Sequence, residues 1–576
     1  MADAHVPSPR SDRDLASMGE ARALARRARA AHLQYAEFSQ ERIDAVVDAA
    51  AGAVAPLAES LAALAVEETG FGVVADKIQK NTFAAVRVHE FVKPLTTVGV
   101  IRRDETRKIV EIAEPFGPVA AIIPSTNPTS TAIYKILIAL KARCAIVLSP
   151  HPSAVRCITR VAEVMSAAAV AAGAPEGTIS WMTTVTLEGT QELMRQREIA
   201  VILATGGMGL VRAAYSAGKP AYGVGPGNAP CYVDRSADVI KAASDILVGK
   251  SFDNGVLCSS PNSVVADAAI AAALEAEFVA QGAYFLAPHE NEALARVLVT
   301  PQRLPNPALV GKSAMVVAHA AGIAVPADTR ALIARLEGVG REHPLSIEKL
   351  CPVLSYYVVD GWREGCERCK QILRYGGMGH TMSIHASDEA VILEFGLHKP
   401  AFRIIVNSPT THGSIGLTTG LDPALTLGCG GHGGNITSDN ISPMHLLNIK
   451  RLAYEVRPAQ APPRRGAGGP ATPAPSATTA PPARRGEGID AARLASRIDE
   501  FLATRGIGPM TVAGPPPAQV AAAAQVAPPD PGPAVTFVCE DDVRAAMRAS
   551  RKIRLAPKAI VTPSARELGD THQVFE

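Results

Sequence analysis

One cysteine stands in a segment of small residues that suits a nucleophilic thiolate. Cys258 lies in SFDNGVLCSSPNSVV, residues 251–265, after a glycine-containing turn sequence and before a β-branched run. A thiolate nucleophile needs partial exposure, with nearby donors or positive potential to lower its pKa from about 8.5. Taken alone, the position is more typical of a structural cysteine, since free cysteine is among the most buried residue types. The rest of the chain must decide between the two interpretations.

Short β-branched runs alternate with alanine-rich helical patterns through residues 1–456. A helical region is predicted over 15–63, and buried strands are predicted at 119–124, 144–150, 200–205 and 229–234. Turn residues and a helical segment follow each of the first three strands. This rhythm predicts an α/β fold with a mostly parallel sheet, helices on both faces and ligands at the carboxyl ends of the strands.

Seven segments carry a resemblance to a known family. They are EPFGPVAAIIPSTNPTSTAIYK, SPHPSA, ILATGGMGLVRAAYSAGKPAYGVGPGNAP, FDNGVLCSS, EKLCPVLS, GGMGHT and LTLGCGGHGGNITSDNISPMHLLN, in that order. Together they closely resemble the CoA-acylating branch of the aldehyde dehydrogenase superfamily, over about residues 15–456. The nearest likenesses are the aldehyde half of bifunctional aldehyde/alcohol dehydrogenases and acylating sulfoacetaldehyde dehydrogenases. The iron-dependent alcohol dehydrogenase half has no counterpart in this sequence.

The resemblance implies an aldehyde dehydrogenase fold with a Rossmann-like cofactor domain and a second α/β catalytic domain. The NAD-binding domain is expected at residues 1–235, completed by about 425–456, and the catalytic domain at 236–424. Residues 457–488 and 507–534 are rich in Pro and Ala, a composition typical of flexible linkers. The extension ends in a small segment, 535–576, whose role the sequence does not reveal.

Between the linkers, residues 489–506 have the pattern of a short amphipathic helix. Asp490 can cap it, Gly506 can end it, and an apolar stripe includes Ile498 and Phe501. The arrangement resembles the encapsulation peptides that recruit enzymes into bacterial microcompartments, which implies contact with shell or cargo proteins. The alternative is a helix that docks on its own catalytic domain or on a sister subunit.

Carried over residue by residue, the resemblance implies a catalytic role for three side chains. Cys258 attacks the aldehyde carbonyl, passes through a thiohemiacetal and becomes a thioester. The Asn127 amide and the Cys258 N–H hold the developing alkoxide, a kind of interaction worth roughly 3–4 kcal/mol. His380 assists deprotonation of a thiol or orders the site. Without the resemblance, Asn127 is a turn residue before a proline and His380 a structural histidine.

One departure from the hydrolytic aldehyde dehydrogenases indicates the acyl acceptor. Those enzymes carry a water-activating Glu in an E-L-G-G motif, whereas the corresponding segment here is YGVGPGN, with Gly223 in the place of the Glu. Water attack on a thioester without a positioned carboxylate lacks its general base, whereas a CoA thiolate is already a good nucleophile. A hydrolytic enzyme and a catalytically silent scaffold on the same fold remain the alternatives.

The resemblance also implies the cofactor site. It places NAD at the strand ends and at a strand-to-helix turn, on Pro124, Ser125, Ser149, Pro150, His151, Gly206, Gly207, Gly225 and Glu348. The glycines allow close backbone approach, and a helix N-terminus favours pyrophosphate. No basic residue stands in SPHP to pair a 2′-phosphate, which favours NAD over NADP. No metal site is expected, because the lone pair Cys366 and Cys369 has no second pair and reads as structural.

Composition excludes several classes of protein. The chain has 576 residues, a formal net charge of +2 and nine cysteines without framework spacing. Near-zero charge argues against a nucleic-acid binder, and the cysteine pattern indicates a reducing, cytoplasmic environment. The resemblance of residues 489–506 to encapsulation peptides implies, more narrowly, the lumen of a microcompartment. The sequence shows no secretory signal, and no membrane association is expected. The expected partners are a short-chain aldehyde, CoA and further copies of the chain in a dimer or tetramer.

Overall fold

The computed structural model describes residues 11–459, and 535–575 apart from gaps at 539, 550, 562–564, 567 and 570–571. The chain forms two units, Met1–Ala461 and Pro462–Glu576. The predicted helix at 489–506 and the predicted linkers, apart from residues 457–459, lie outside the described residues.

The amino-terminal region is helical, as predicted, but it forms several helices. They are α1 (Asp12–Tyr35), α2 (Gln40–Val54), α3 (Ala58–Thr69), α4 (Val74–Thr82) and α5 (Val88–Val92). Ser11 caps α1 by accepting the Asp14 N–H, and Gly70 ends α3 at a φ of 69°, which a residue without Cβ adopts at no steric cost. A π-helical turn, Phe83–Arg87, joins α4 to α5.

The stretch Gln40–Thr69 has the length and hydropathy of a membrane span. In the fold it forms α2, a short turn and α3. Its side chains Val46, Val47 and Leu61 are buried in the same hydrophobic cluster as Ile133 of the first sheet's covering helix. The stretch is therefore packed as a core element of this domain.

The first sheet has five parallel strands, and it contains three of the predicted strands. They are β3 (Val119–Ile123), β4 (Ile146–Pro150), β5 (Ile179–Trp181), β6 (Val201–Thr205) and β7 (Ala221–Val224), in the order β5-β4-β3-β6-β7. Four helices follow its strands, namely α6 (Pro128–Lys141), α7 (Val155–Ala171), α8 (Leu187–Arg195) and α9 (Met208–Tyr215). Separate apolar clusters cover the two faces of this sheet. Its strands are therefore buried on both sides and have continuous apolar sequences.

A buried lysine fastens the centre of this sheet. Lys135 of α6 is wholly buried, and its Nζ donates to the Ile122 carbonyl at 2.8 Å and the Leu203 carbonyl at 2.9 Å. Burial holds the pKa of Lys135 well below its usual range. Two N–H bonds of one amine therefore tie together the neighbouring strands β3 and β6.

A second parallel sheet has seven strands. They are β8 (Ala229–Val233), β9 (Pro261–Asp267), β10 (Ala283–Phe285), β11 (Ala331–Arg335), β12 (Val353–Val359), β13 (Gly379–His385) and β14 (Ala401–Val406), in the order β10-β11-β12-β9-β8-β13-β14. The accompanying helices are α10 (Val239–Ser251), α11 (Ala271–Ala280), α12 (Pro288–Leu298), α13 (Ala314–Ala320), α14 (Gly361–Tyr375), α15 (Glu389–Leu397) and α16 (Thr410–Ser414).

The strand predicted at 229–234 exists, but it lies in this second sheet, where it pairs with β9 and β13. The passage between the sheets therefore falls at residues 225–228, and the boundary placed at 235 was wrong by one strand. A strand that is buried on both faces carries no local signal of which sheet it joins.

Two smaller sheets complete the described chain. The strands β1 (Gly99–Asp104) and β15 (Leu447–Ala453) flank β2 (Ile109–Pro115) in an antiparallel sheet. In the second unit, β16 (Val535–Val538), α17 (Glu540–Arg548) and β17 (Leu555–Val561) form a parallel β-α-β arrangement. Val538, Val543 and Ile553 belong to its own small core. The strand β16 was not expected from the sequence.

Candidate active site

A cavity of about 450 Å³ opens where the carboxyl ends of the first sheet face loops of the second. It collects all but two of the residues expected from the sequence, namely Pro124, Ser125, Asn127, Pro150, His151, Gly206, Gly207, Gly225, Cys258 and Glu348. Ser149 and His380 do not line it. The cavity therefore joins the expected cofactor residues and the expected nucleophile in one space.

The first sheet supplies one wall through its strand ends. Gly207 caps the N-terminus of α9, and a Cβ at this position would meet nothing within 4 Å. The backbone there is open to close approach by a pyrophosphate, with the helix dipole behind it. Val185, Leu187 and Leu210 line the same cavity with apolar side chains, which suit a flat ring. These residues fit a dinucleotide.

The role expected for Ser149 needs correction. Its side chain is fully buried in β4, and its Oγ lies 2.8 Å from Oγ1 of Thr190. Thr190 lines the cavity, so Ser149 supports the wall from behind. Because Ser149 lies inside the strand rather than at its end, its hydroxyl points into the packed layer of α8.

Cys258 is the least buried of the described cysteines. It is half-buried, whereas the other described cysteines are buried. Burial raises the pKa of Cys258 to about 12, and the carboxyl of Glu348 adds to the rise, whereas the guanidinium of Arg403 opposes it. The sulfur is therefore protonated at neutral pH in this arrangement.

The oxyanion donor expected at Asn127 is held by a lysine. Asn127 precedes the first residue of α6, but its side chain makes no capping hydrogen bond to that helix. Its Oδ1 accepts from Nζ of Lys80 at 2.5 Å, and its Nδ2 donates to Oγ1 of Thr126 at 3.2 Å. The amide lines the cavity that Cys258 also lines, as an oxyanion donor must.

A buried ionic cluster lies behind Asn127. The Lys77 and Lys80 ammonium groups both contact Oδ2 of Asp253, and all three side chains are buried. Asp253 and Asn254 adopt left-handed conformations with φ of 49° and 53°, in the turn that leads to Cys258. Oδ1 of Asp253 also accepts the Val73 N–H at 2.7 Å. Sequence reasoning missed this cluster, because lysines on an amphipathic helix and a turn aspartate are usually solvated.

Glu348 and His380 both lie beside Gly227, whose backbone is close to the nucleophile. The Gly227 N–H donates to Oε1 of Glu348 at 2.9 Å. Burial raises the pKa of Glu348 to about 8, although this hydrogen bond opposes the rise. A Cβ on Gly227 would lie 3.5 Å from Cγ of His380 and 2.0 Å from the carbonyl oxygen of Cys258.

His380 is fully buried behind the cavity wall rather than on it. Its Nδ1 lies 2.9 Å from Oγ1 of Thr381, and within the described residues its Nε2 has no hydrogen-bond partner. Burial, and then the nearby Arg403, lower the pKa of His380 to about 3. The ring is therefore neutral at physiological pH.

The position that matches the hydrolytic glutamate faces away from the cavity. Gly223 is buried in β7, and a Cβ there would lie 2.8 Å from Cγ1 of Val211 and 3.0 Å from Oη of Tyr215. Among the described residues that line the cavity, Glu348 carries the only carboxyl group. A carboxylate that would activate water is thus absent from position 223 for packing reasons as well as by sequence.

Two further features bear on the sequence expectations. Arg403 of β14 donates to the Gly428 carbonyl and, at 2.8 Å, to the Ser438 carbonyl, and so holds the loop that carries Cys429; no sequence motif indicated this role.

Cys366 and Cys369 are buried on α14. In residues 11–459 and the described part of the tail, no group of three potential metal ligands occurs.

Comparison with known proteins agrees with this geometry. A model of the aldehyde dehydrogenase family matches residues 11–288. The chain is 41% identical over 442 residues to the bifunctional aldehyde-alcohol dehydrogenase of Escherichia coli, covering 76% of this chain but only about half (50%) of that relative. It is 37% identical to the acetylating succinate-semialdehyde dehydrogenase of Clostridium kluyveri, of which it covers 96%, with 76% of this chain aligned.

Solved structures extend the likeness to three dimensions. An acetylating aldehyde dehydrogenase from Geobacillus thermoglucosidasius matches with a TM-score of 0.77 and 50% identity, over 79% of this chain and all (100%) of that one. A propionaldehyde dehydrogenase from a Clostridium phytofermentans microcompartment matches with a TM-score of 0.68 and 29% identity. The match covers 75% of this chain and 96% of that one. The propionaldehyde dehydrogenase of Rhodopseudomonas palustris, solved with CoA and an acylated cysteine, matches with a TM-score of 0.68 and 27% identity. The match covers 75% of this chain and 97% of that one.

Proposed function

Because this chain belongs to the aldehyde dehydrogenase family, we propose that it is an acylating member that oxidises a short-chain aldehyde, with NAD and CoA, to an acyl-CoA thioester. The observation that carries the proposal is the cavity that Cys258 and Asn127 share with the cofactor wall, in which Glu348 carries the only carboxyl group among the described lining residues. The acetylating relatives that this chain covers over nearly their whole length support the choice of acceptor.

The first step uses Cys258 and the two oxyanion donors. The sulfur attacks the aldehyde carbon, the thiol proton goes to the carbonyl oxygen, and a thiohemiacetal forms on Cys258. While that oxygen carries negative charge, Nδ2 of Asn127 and the Cys258 N–H donate to it. Oxidation to the thioester releases a hydride, and a bound nicotinamide supplies the acceptor for it. A proton leaves to solvent in the same step.

The second step transfers the acyl group from Cys258 to CoA. The CoA sulfur attacks the thioester, and the Cys258 sulfur leaves and recovers a proton. Water competes poorly, because Glu348 is the available carboxyl and its raised pKa, about 8, keeps it largely protonated at pH 7. We assign His380 an ordering role rather than that of a base, since it lies behind the wall with a pKa of about 3.

The preference for NAD over NADP follows from charge. The lining residues of the cavity in the described chain include no Lys or Arg. A 2′-phosphate there would find no cation, whereas a 2′-hydroxyl needs none. The structural relative bound to NADP⁺ is an engineered enzyme, so it sets no expectation for this chain.

The decisive experiment measures NADH formation by the purified protein with and without CoA. The substrates are acetaldehyde, propionaldehyde, lactaldehyde and sulfoacetaldehyde, and Cys258→Ala is the matched control. Strict dependence on CoA with at least one aldehyde supports the proposal. Equal rates without CoA favour the hydrolytic alternative, and no turnover on any of the four favours the silent scaffold.

We also propose that the protein is a homo-oligomer. Two strands lie at sheet edges and expose apolar side chains: β14 exposes Phe402 and Val406, and β15 exposes Leu452. Open apolar strand edges are a template for pairing with another chain, and a second copy offers both edges at once. Light scattering after size exclusion tests this, and a monomer at micromolar concentration would contradict it.

We propose further that the enzyme works inside a bacterial microcompartment. The pattern of residues 489–506 and the microcompartment origin of one structural relative support this location. Fusion of residues 457–534 to a fluorescent protein, co-expressed with shell proteins of the same organism, tests it. Encapsulation that Ile498→Asp and Phe501→Asp abolish supports the proposal, and a diffuse signal from the native segment contradicts it.

A further inference from the structure

We propose that Lys80 is a positioning residue for this reaction: its ammonium fixes the Asn127 amide with Nδ2, rather than Oδ1, turned toward the oxyanion. The inference rests on the proposed role of Asn127 as an oxyanion donor. It concerns a residue that neither touches the aldehyde nor lines the cavity, since Lys80 is absent from the wall.

The donors and acceptors of the two side chains determine which end of the Asn127 amide faces Lys80. An ammonium group has three donors and no acceptor, so the atom 2.5 Å from Nζ must be the amide oxygen. Nδ2 is thereby directed away from Lys80, and one of its N–H bonds reaches Oγ1 of Thr126 at 3.2 Å. Within the described residues the other N–H has no protein partner and is free for a ligand oxygen. An amide turned the other way would present a carbonyl to the developing negative charge.

The lysine is itself held in one place. Lys80 is 2% exposed, and its charge is balanced by Asp253, with which it forms a buried ion pair. Lys77 contacts the same carboxylate oxygen at 2.9 Å and donates to the Thr126 carbonyl at 3.1 Å. A buried side chain with paired charge has few rotamers, so it can hold the Asn127 oxygen within a narrow range of positions.

The same cluster reaches the second oxyanion donor. Asp253 lies five residues before Cys258, in a turn where its backbone is left-handed, with φ of 49°. The Asp253 N–H donates to Oδ2 of Asp76 at 2.7 Å, which fixes that turn to α4. Lys80 is thus the member of this cluster that contacts the Asn127 amide, whereas the turn that leads to Cys258 is tied to α4 through Asp76.

A purely structural ion pair would predict a different outcome, and a double-mutant cycle separates the two. Lys80→Met removes the cation with similar side-chain length, and Asn127→Ala removes the amide. We expect Lys80→Met to lower kcat by about 10²-fold, with little change in the KM for aldehyde. In the Asn127→Ala background the same change should cost less than about threefold, because its target is already gone.

Additive losses in kcat would overturn the inference, since they would show that Lys80 acts independently of Asn127. Full activity in Asn127→Ala would instead overturn the proposed oxyanion donor itself. Lys77→Met is the stability control, because it removes a buried cation from Asp253 without touching Asn127. If Lys80→Met and Lys77→Met lose equal unfolding free energy and equal kcat, Lys80 is only structural.

Discussion

The carbonyl oxygen of Cys258 lies 2.0 Å from the point that a Cβ atom on Gly227 would occupy. The same glycine donates its N–H to Glu348 at 2.9 Å and leaves room for the ring of His380. Three site residues thus converge on one backbone position that has no space for a side chain. The close approach of this glycine to the nucleophile sets the position of the Cys258 peptide.

Gly227→Ala is therefore expected to lower kcat by at least about 10²-fold, because the methyl group must displace the peptide that carries an oxyanion donor. Gly52→Ala is the matched control, since a Cβ at Gly52 on α2 meets nothing within 4 Å. That control should retain activity and gain up to about 1 kcal/mol in unfolding free energy. Steady-state kinetics and urea unfolding of both variants test the prediction.

Among the described cysteines, Cys258 should be the first that a thiol reagent modifies. It is the half-buried member of the described cysteines, and its pKa is raised to about 12. Since the thiolate is the reactive form, the rate of alkylation by iodoacetamide should rise about tenfold per pH unit between pH 6 and 9. Peptide mapping by mass spectrometry should place the first label on Cys258 as activity is lost. Inactivation that precedes this label would contradict the assignment.

Glu348→Gln should change how stability depends on pH. The folded pKa of Glu348 is about 8, above the ordinary value of 4.5, so the folded chain keeps a proton that the unfolded chain releases between these values. The stability contributed by Glu348 is full below pH 4.5 and is lost as pH rises through about 8. Glutamine does not titrate. In urea unfolding, the unfolding free energy of Glu348→Gln should therefore rise relative to that of the native protein from pH 5 to pH 9. Parallel curves would contradict the burial of this carboxyl.

His380→Gln should have the opposite effect at acid pH. Burial lowers the folded pKa of His380 from 6.5 to about 3, so its contribution to stability is present above pH 6.5 and is lost as pH falls toward 3. The native protein should therefore lose unfolding free energy relative to His380→Gln between pH 6.5 and pH 4.5. His398→Gln, at a surface position, is the control for the loss of a histidine as such. A trend equal in both variants would rule out the buried neutral ring.

Periodicity predicted the elements that form this cavity better than their assembly. The runs at 119–124, 144–150 and 200–205 became β3, β4 and β6, because β-branched segments between turn signals suit a parallel sheet. The helical region 15–63 divided into three helices, since Ala36–Phe38 and the Pro56 turn interrupt an otherwise uniform alanine pattern. The sheet to which β8 belongs depends on distant partners, so no local pattern revealed it.

At the site, motifs located residues that contact the cavity and missed those that hold them. Cys258, Asn127 and Glu348 lie in segments with a family likeness, and all three are on the wall. Lys80 and Arg403 have no such signal, because burial of a cation depends on an anion or carbonyls that lie far away in sequence. Ser149 and His380 lie behind the cavity wall, a placement that motifs do not reveal, since the direction of a side chain depends on packing.

The Lys135 amine has a consequence for how this enzyme responds to heat. Its two hydrogen bonds, at 2.8 and 2.9 Å, join the neighbouring strands β3 and β6, whose carboxyl ends lie at the cofactor wall. Because the amine is wholly buried, dissolved salt screens these hydrogen bonds much less than it screens contacts at the surface. Lys135→Met would remove the donor that these two carbonyls share, so the two strands should separate more easily on warming. Affinity for the dinucleotide should therefore be lost at a lower temperature in Lys135→Met than in the native protein.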